Sequence, residues 1–161
     1  MTETSFRLLL AALVGALIGL NRDRRHKDAG LRTHALVALG AALIVVASAG
    51  VAGTPEQRGD VISRAIQGVL TGIGFLGAGV ILHDRDDHRV RGLTTAATVW
   101  LTALFGVACG VGAYAEVAAG IAIAFAILMF GGPIEHMLDR RSRSSDDDPE
   151  EAIPREQAPR I

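Results

Sequence analysis

The sequence predicts an all-α integral membrane protein, a compact bundle of about five transmembrane helices with glycine-rich packing. Of the 161 residues, 50% are hydrophobic, 19 are glycine, and the mean hydropathy is +0.35. The apolar residues are collected in blocks of about 15 to 21 residues, the length that a helix needs to cross a hydrocarbon core of about 30 Å. Blocks of this length exclude an ordinary water-soluble enzyme.

The predicted spans cover residues 6–20, 34–53, 65–83, 93–112 and 114–134, so that residues 1–134 form the transmembrane domain. Span one is followed by the basic cluster 22–27, whereas a cleaved signal peptide carries its positive charge in front of the apolar run. We therefore expect span one to be a retained anchor. Residues 58–67 form a short amphipathic segment that leads into span three. Residues 135–161 are polar, without apolar periodicity, and are expected to be a disordered cytoplasmic tail.

Basic residues are distributed unevenly between the two sides of the predicted membrane. Arg7, Arg58 and Arg64 fall on one side, and the other 13 of the 16 Lys and Arg residues fall on the opposite side. Because cytoplasmic loops of membrane proteins carry the excess of basic residues, we expect a cytoplasmic C-terminus and an outside N-terminus. The 17 acidic residues nearly balance the basic ones, so the overall charge does not indicate nucleic-acid binding.

Glycines recur in the spans at the spacing that brings helices close together. In lipid, where little hydrophobic force drives helices together, small residues permit close backbone approach. Packing inside one protomer is the simpler use of these positions, and a homo-oligomer seam is the alternative. The candidate packing positions are Gly15, Gly19, Gly68, Gly72, Gly74, Gly77, Gly79, Gly106 and Gly110.

Span three holds five of these glycines, and its run 72–77 matches the dinucleotide fingerprint G-x-G-x-x-G. We reject that match, because the motif needs a preceding strand and an acidic residue about 20 positions on, where this chain has Ala97. A tightly packed helix is the favoured interpretation, and a bent or broken helix is the alternative. If the packing is tight, a side chain at Gly74 must collide with a neighbouring helix.

Polar residues lie at the predicted cytoplasmic ends of spans one and two and along span four. Thr94, Thr98 and Thr102 share a helix face, and either bond back to their own helix or line an interface or small polar cavity. Ionisable groups of both signs beside the imidazole of His34 exceed what a membrane anchor requires. The candidate functional residues are Asn21, Asp23, Arg24, Arg32, Thr33, His34, Asp60, Arg64, Gln67, Thr94, Thr95 and Thr98.

No metal site is identified from the residues. Magnesium prefers carboxylate oxygens, and the acids close to span ends, Asp23 and Asp60, fall on opposite sides of the predicted membrane. The single cysteine, Cys109, lies in an apolar run, and no cofactor is expected. The chain also lacks a nucleophile–base pair, metal-ligand spacing and an ATP-binding loop, so we expect no enzymatic activity.

Four of these stretches together resemble a known family. They are Gly15–Arg25 (GALIGLNRDRR), Gly30–Val37 (GLRTHALV), Gly72–Ile81 (GIGFLGAGVI) and Gly92–Trp100 (GLTTAATVW). In this order they are similar to the membrane domain of the MgtC/SapB (YhiD) family of bacterial inner-membrane proteins, over about residues 7–130. The resemblance implies a five-span domain, in agreement with the charge count.

For function, the resemblance implies a small regulatory or partner-binding protein linked to magnesium homeostasis and to adaptation to low magnesium or stress. Its partner could be another membrane protein such as the F-type ATP synthase. The alternative is an ion transporter or channel component, with magnesium as the candidate ion. This sequence departs from the family where Glu-Arg-Glu is usual, because it reads Asn21-Arg22-Asp23 and thus loses one acid. Longer members add a soluble cytoplasmic domain, for which residues 135–161 are too few and too polar, so we do not expect regulation through such a domain.

The topology can be tested with reporter fusions. A periplasm-active reporter fused after Gly53 should give a strong signal, and one fused after residue 134 should give none, because the basic residues hold the C-terminal side in the cytoplasm. A strong periplasmic signal from the second fusion would contradict the five-span arrangement.

Overall fold

The computed structural model describes residues 2–83 and 90–146, with side chains at 2–81 and 91–132. In this range five helices are long and apolar enough to cross a membrane, which confirms the predicted all-α membrane class. They are α1 (Glu3–Arg24), α2 (Leu31–Val51), α3 (Pro55–Val80), α4 (Leu93–Val111) and α5 (Tyr114–Asp146). Met1–Ala122 and Ile123–Ile161 form two compact units, and the packing described below is that of the first.

Helix α1 extends beyond predicted span one at both ends. At its start the Thr2 hydroxyl accepts a hydrogen bond from the Ser5 amide (3.4 Å), and Arg7 Nε donates to Glu3 Oε1 (3.0 Å). A capped first turn with an i,i+4 ion pair stabilises helix outside the apolar run. At its other end the helix continues to Arg24, and the chain leaves it through His26 with a left-handed φ of 51°.

The start of α3 is fixed by a capping box. The Thr54 hydroxyl accepts from the Gln57 amide (3.3 Å), Gln57 Oε1 accepts from the Thr54 amide (3.2 Å), and Pro55 occupies the first helical position. The amphipathic segment 58–67 is therefore the first part of α3 itself and not a separate lead-in. The helix is continuous to Val80, so the broken-helix alternative is wrong.

A short hairpin follows α3. Strands β1 (Leu82–His83) and β2 (Val90–Arg91) pair antiparallel, although residues 82–83 were predicted to belong to span three. Gly92 then begins α4 with a φ of +88°, and a Cβ there would collide with the Val80 carbonyl. This return of the chain against the end of α3 needs glycine, both for its left-handed backbone and for the close approach.

The core of the first unit is formed by α1, α2 and α4, which all contact one another. The predicted packing positions at these contacts are Gly15, Gly19, Gly106 and Gly110. A Cβ at Gly15 would collide with the backbone carbonyl of His34, and a Cβ at Gly106 would collide with that of Ala38. Both carbonyls belong to α2, so glycines on two different helices admit the α2 backbone.

Helix α3 packs against α2 and α4 through branched side chains instead. Ile73 is buried in the apolar cluster that includes Val45, Val99 and Ala103. The half-buried residues Ile62, Ile66 and Val69 pack against the same cluster. These four α3 residues follow the i, i+4, i+7, i+11 spacing of one helix face, so a row of branched side chains occupies the inner face of α3.

The glycines of α3 lie outside this row, and the prediction that they are tightly packed is wrong within one chain. A Cβ at Gly68, Gly72, Gly74 or Gly79 would meet no atom within 4 Å. A Cβ at Gly77 would reach Ala96 Cβ at 3.9 Å, an ordinary contact.

Helix α5 begins at Tyr114 as predicted but continues to Asp146, beyond the predicted end at 134. Residues 135–146 of the predicted tail are thus drawn as a continuation of this helix. Residues 134–141 (IEHMLDRR) include Glu, Met, Leu and two Arg, which have high helix propensity. Residues 147–161 lie outside the described residues.

The contrast between the two sets of glycines can be measured directly. Gly106→Ala should lower the stability in detergent by about 1–3 kcal/mol, because the methyl group meets the α2 backbone. Gly74→Ala should be neutral or slightly stabilising, since the methyl group meets no neighbour and alanine favours helix. Thermal unfolding of the two variants beside the wild type compares these effects, and equal losses would contradict the assigned packing.

Candidate functional site: a polar cluster between α1, α2 and α4

The polar cluster is defined here as Arg22, His34, Thr95 and Thr98. Arg22 is on α1, His34 is on α2, and the two threonines are on α4. All four side chains are buried. This polar centre lies near one end of the unit, beside the two glycine-mediated contacts of α2 with α1 and with α4.

Arg22 is the charged member of the polar cluster and is only 3% exposed. Its Nη2 donates to the Thr95 hydroxyl at 2.7 Å. Its Nε is buried and has no hydrogen-bond partner, and the same holds for Oδ1 of the neighbouring Asn21. Within the described residues no ion pair joins Arg22 to a carboxylate. A guanidinium group stays protonated in proteins, so this centre carries a positive charge.

His34 is completely buried and is held from both sides. Its Nδ1 lies 2.9 Å from the Gly30 carbonyl, and its Nε2 lies 3.5 Å from the Thr98 hydroxyl. A carbonyl can only accept, so Nδ1 carries a hydrogen and donates it to Gly30. The imidazole is thus bonded to the first turn of its own helix and packs beside Thr98 of α4.

Two threonine hydroxyls of α4 donate hydrogen bonds to carbonyl groups of their own helix. Thr98 donates to the Thr95 carbonyl and Thr102 donates to the Thr98 carbonyl, both at 2.8 Å. The buried residues are Thr95, Thr98 and Thr102, whereas Thr94 is exposed. The stripe therefore passes through Thr95 and not Thr94. The stripe lies at a helix interface, and two of its hydroxyls also bond back to their own helix. The two interpretations of the sequence, an interface and bonds within the helix, are therefore compatible.

Among the other residues predicted at the ends of spans one and two, Asn21 is half-buried, and the exposed Asp23 has a structural role. Asp23 Oδ2 accepts from the Leu31 amide at 2.9 Å, which caps α2 from the neighbouring helix. A Cβ at Gly30 would collide with the Asp23 carboxylate, so glycine is needed beside this cap. Arg24, Arg32 and Thr33 are exposed and lie outside the polar cluster.

The structure does not bring the α3 candidates to the polar cluster. Asp60, Arg64 and Gln67 are exposed on α3. Among the described residues, no three His, Cys, Asp or Glu side chains are grouped so that they could hold a metal ion.

The sequence analysis missed three side-chain contacts, one made by Arg22 and two at the opposite end of the unit. Arg22 was not chosen as a candidate, although it continues the buried α1 row of Gly15, Ile18 and Gly19, and this spacing was the available signal. At the other end of the unit, Arg7 Nη1 donates to the Gly110 carbonyl (3.0 Å), and the Tyr114 hydroxyl donates to Glu3 (2.7 Å). Residues 3 and 114 are too far apart in the chain for any local pattern to pair them.

Fold and site together define a multi-pass membrane protein whose helices enclose a small cationic polar cluster. The sequence profile of the MgtC family matches residues 8–137, and the chain belongs to this family.

Among its curated relatives is Protein SrpB of Synechococcus elongatus, 50% identical over 115 residues, which covers 67% of this chain and 63% of SrpB. Protein MgtC of Salmonella typhimurium is 49% identical over 107 residues, covering 66% of this chain and 43% of that protein. Protein MgtC of Brucella abortus is 40% identical over 139 residues, covering 86% of this chain and 56% of that protein. The chain thus spans less than two thirds of the length of these relatives. No solved structure matches it.

The bond between Arg22 and Thr95 can be tested with a neighbouring control. Thr95→Val should lower the stability by about 1–3 kcal/mol, because it leaves a second buried donor of the guanidinium group without a partner. Thr94→Val should be nearly neutral, because Thr94 is exposed.

The double variant Arg22→Met/Thr95→Val should recover much of the stability lost in Thr95→Val, because it removes the charge together with the hydroxyl. Thermal unfolding in detergent of these variants and of the single variant Arg22→Met completes the double-mutant cycle. An additive double variant would show that the two side chains are not coupled.

Proposed function

We propose that this chain is a non-catalytic regulatory or partner-binding protein of the bacterial inner membrane, linked to magnesium homeostasis and to growth at low magnesium. The observation that carries the proposal is the buried Arg22, a cation at the centre of the polar cluster with no carboxylate paired to it among the described residues. The link to magnesium comes from the family, and the proposed orientation is N-terminus outside and C-terminus cytoplasmic.

Electrostatics favours this function over magnesium transport through the polar cluster. A divalent cation 4 Å from a guanidinium group is repelled by about 8 kcal/mol at an effective dielectric constant of 20. Magnesium sites in proteins use carboxylate oxygens to offset the loss of hydration, and the described part of the chain contains no such group of acids. A path through this centre would be unfavourable for Mg²⁺.

The hydrogen bonds of the threonine stripe support the same conclusion. A cation path needs oxygen atoms whose lone pairs point into an open space. Thr98 and Thr102 are buried and donate to helix carbonyls, and Thr95 accepts from Arg22. The stripe thus serves as internal packing, which suits a protein that presents its outer surfaces to a partner.

Reconstitution tests the proposal against the transport alternative. Purified protein in liposomes that contain a magnesium-sensitive dye should give no more flux than protein-free liposomes, with a known magnesium channel as positive control. The same gene should restore growth at low magnesium in a strain that lacks its own copy. Protein-dependent magnesium flux would overturn the proposal, and so would failure to restore growth by protein that is correctly inserted.

A further inference from the structure

The outer face of α3 is unusually polar for a membrane helix. Its polar stripe consists of Asp60, Arg64, Gln67 and Thr71, all of which are exposed. These positions follow the i, i+4, i+7, i+11 spacing of one helix face. At 100° per residue the stripe lies roughly opposite to Ile73, the buried residue of this helix. The most polar side of α3 therefore points away from the rest of the unit.

Much of this stripe lies at membrane depth. With a rise of 1.5 Å per residue, Thr71 is about 14 Å, Gln67 about 20 Å and Arg64 about 24 Å from the end of α3 at Val80. The hydrocarbon core is about 30 Å thick. If Val80 lies at one boundary, an amide and a guanidinium group would face acyl chains in a monomer, which is unfavourable. Polar groups at this depth are usually covered by protein.

The charges of the stripe are self-complementary. Asp60 and Arg64 are one helical turn apart, and no ion pair joins them in the described part of the chain. When two copies of α3 run side by side about a twofold axis along the membrane normal, residues of equal number lie at the same depth. Arg64 of one copy is then displaced by about 6 Å along the axis from Asp60 of the other, a distance that its long side chain can span. A twofold interface must repeat each contact in both directions, and opposite charges one turn apart satisfy this condition.

An apolar projection and an apolar groove lie beside the stripe. Phe75 is 83% exposed. A groove of about 410 Å³ between α2 and α3 is lined by Gly40, Gly68 and Gly72, among other apolar residues. A Cβ at any of these glycines would meet nothing within 4 Å, so the groove is open. Phe75 and the groove glycines of α3 lie on the same flank of the stripe, so a twofold contact centred on the stripe leaves them at its edge.

We propose that a second copy of this chain packs against the outer face of α3 in the membrane. Asp60 and Arg64 form two reciprocal ion pairs, and Gln67 and Thr71 are covered at the centre of the contact. The inference stands independently of the proposed regulatory function, because it depends on the outer face of α3 and not on the polar cluster.

Charge reversal tests the ion pairs, with subunit counting in liposomes at a fixed protein-to-lipid ratio as the measurement. The wild type should be dimeric. Asp60→Arg and Arg64→Asp should each weaken the dimer at least about tenfold, because they place like charges opposite one another. The double variant Asp60→Arg/Arg64→Asp should restore the dimer, and the two single variants mixed together should form heterodimers. Circular dichroism should show equal helix content in all variants.

Disulfide cross-linking tests which face is in contact. Thr71→Cys should give a cross-linked dimer on mild oxidation of native membranes, whereas Leu13→Cys, on an exposed position of α1, should not. The single natural cysteine, Cys109, is buried, and the wild type measures the background. A monomeric wild type, a double variant that stays monomeric, or equal cross-linking at residues 71 and 13 would overturn the proposal.

Discussion

Close approach of the α2 backbone to α1 and α4 is the constraint on which the rest of the structure depends. Gly15 and Gly106 admit α2 carbonyl groups where any side chain would collide. At this separation the side chains between the helices are favoured when they are small or hydrogen-bonded, because an unpaired polar group in a water-free space is costly. Most polar groups between these helices meet that condition: His34 bonds to Gly30, Thr98 and Thr102 bond to their own helix, and Arg22 reaches Thr95. The exception is Nε of Arg22, which is buried without a partner.

Helix α3 follows a different principle from the other helices of the unit. Its inner face carries branched apolar side chains, whereas its polar stripe faces outward and most of its glycines border open space. A glycine-rich motif in a membrane helix thus has two uses in one chain, internal packing on α1 and α4 and an open surface on α3. The polar cluster around Arg22 lies inside the unit. The polar stripe of α3 lies on its outer surface, where another molecule can bind.

Much of the fold was predictable from the sequence, because span number and class depend on the length and composition of apolar blocks, which are local properties. Helix ends were less predictable: the capping box at Thr54 begins α3 ten residues before predicted span three. Whether the α3 glycines contact a neighbouring helix was not predictable, since a glycine allows close helix packing but does not require it. Arg22 was overlooked because an arginine after an apolar span usually anchors the helix, and only the row through Gly15, Ile18 and Gly19 shows that it is buried.

The central claim is that Arg22 is enclosed between helices as a dry, buried cation and does not line an aqueous path. Hydrogen exchange at the arginine Nε–H, followed by NMR in protein labelled with ¹⁵N at arginine, measures this most directly. Arg22 should exchange far more slowly than the exposed Arg24 and Arg32 of the same sample, because its Nε has no access to water. Exchange at Arg22 as fast as at these two residues would show that water reaches the polar cluster and would contradict the account.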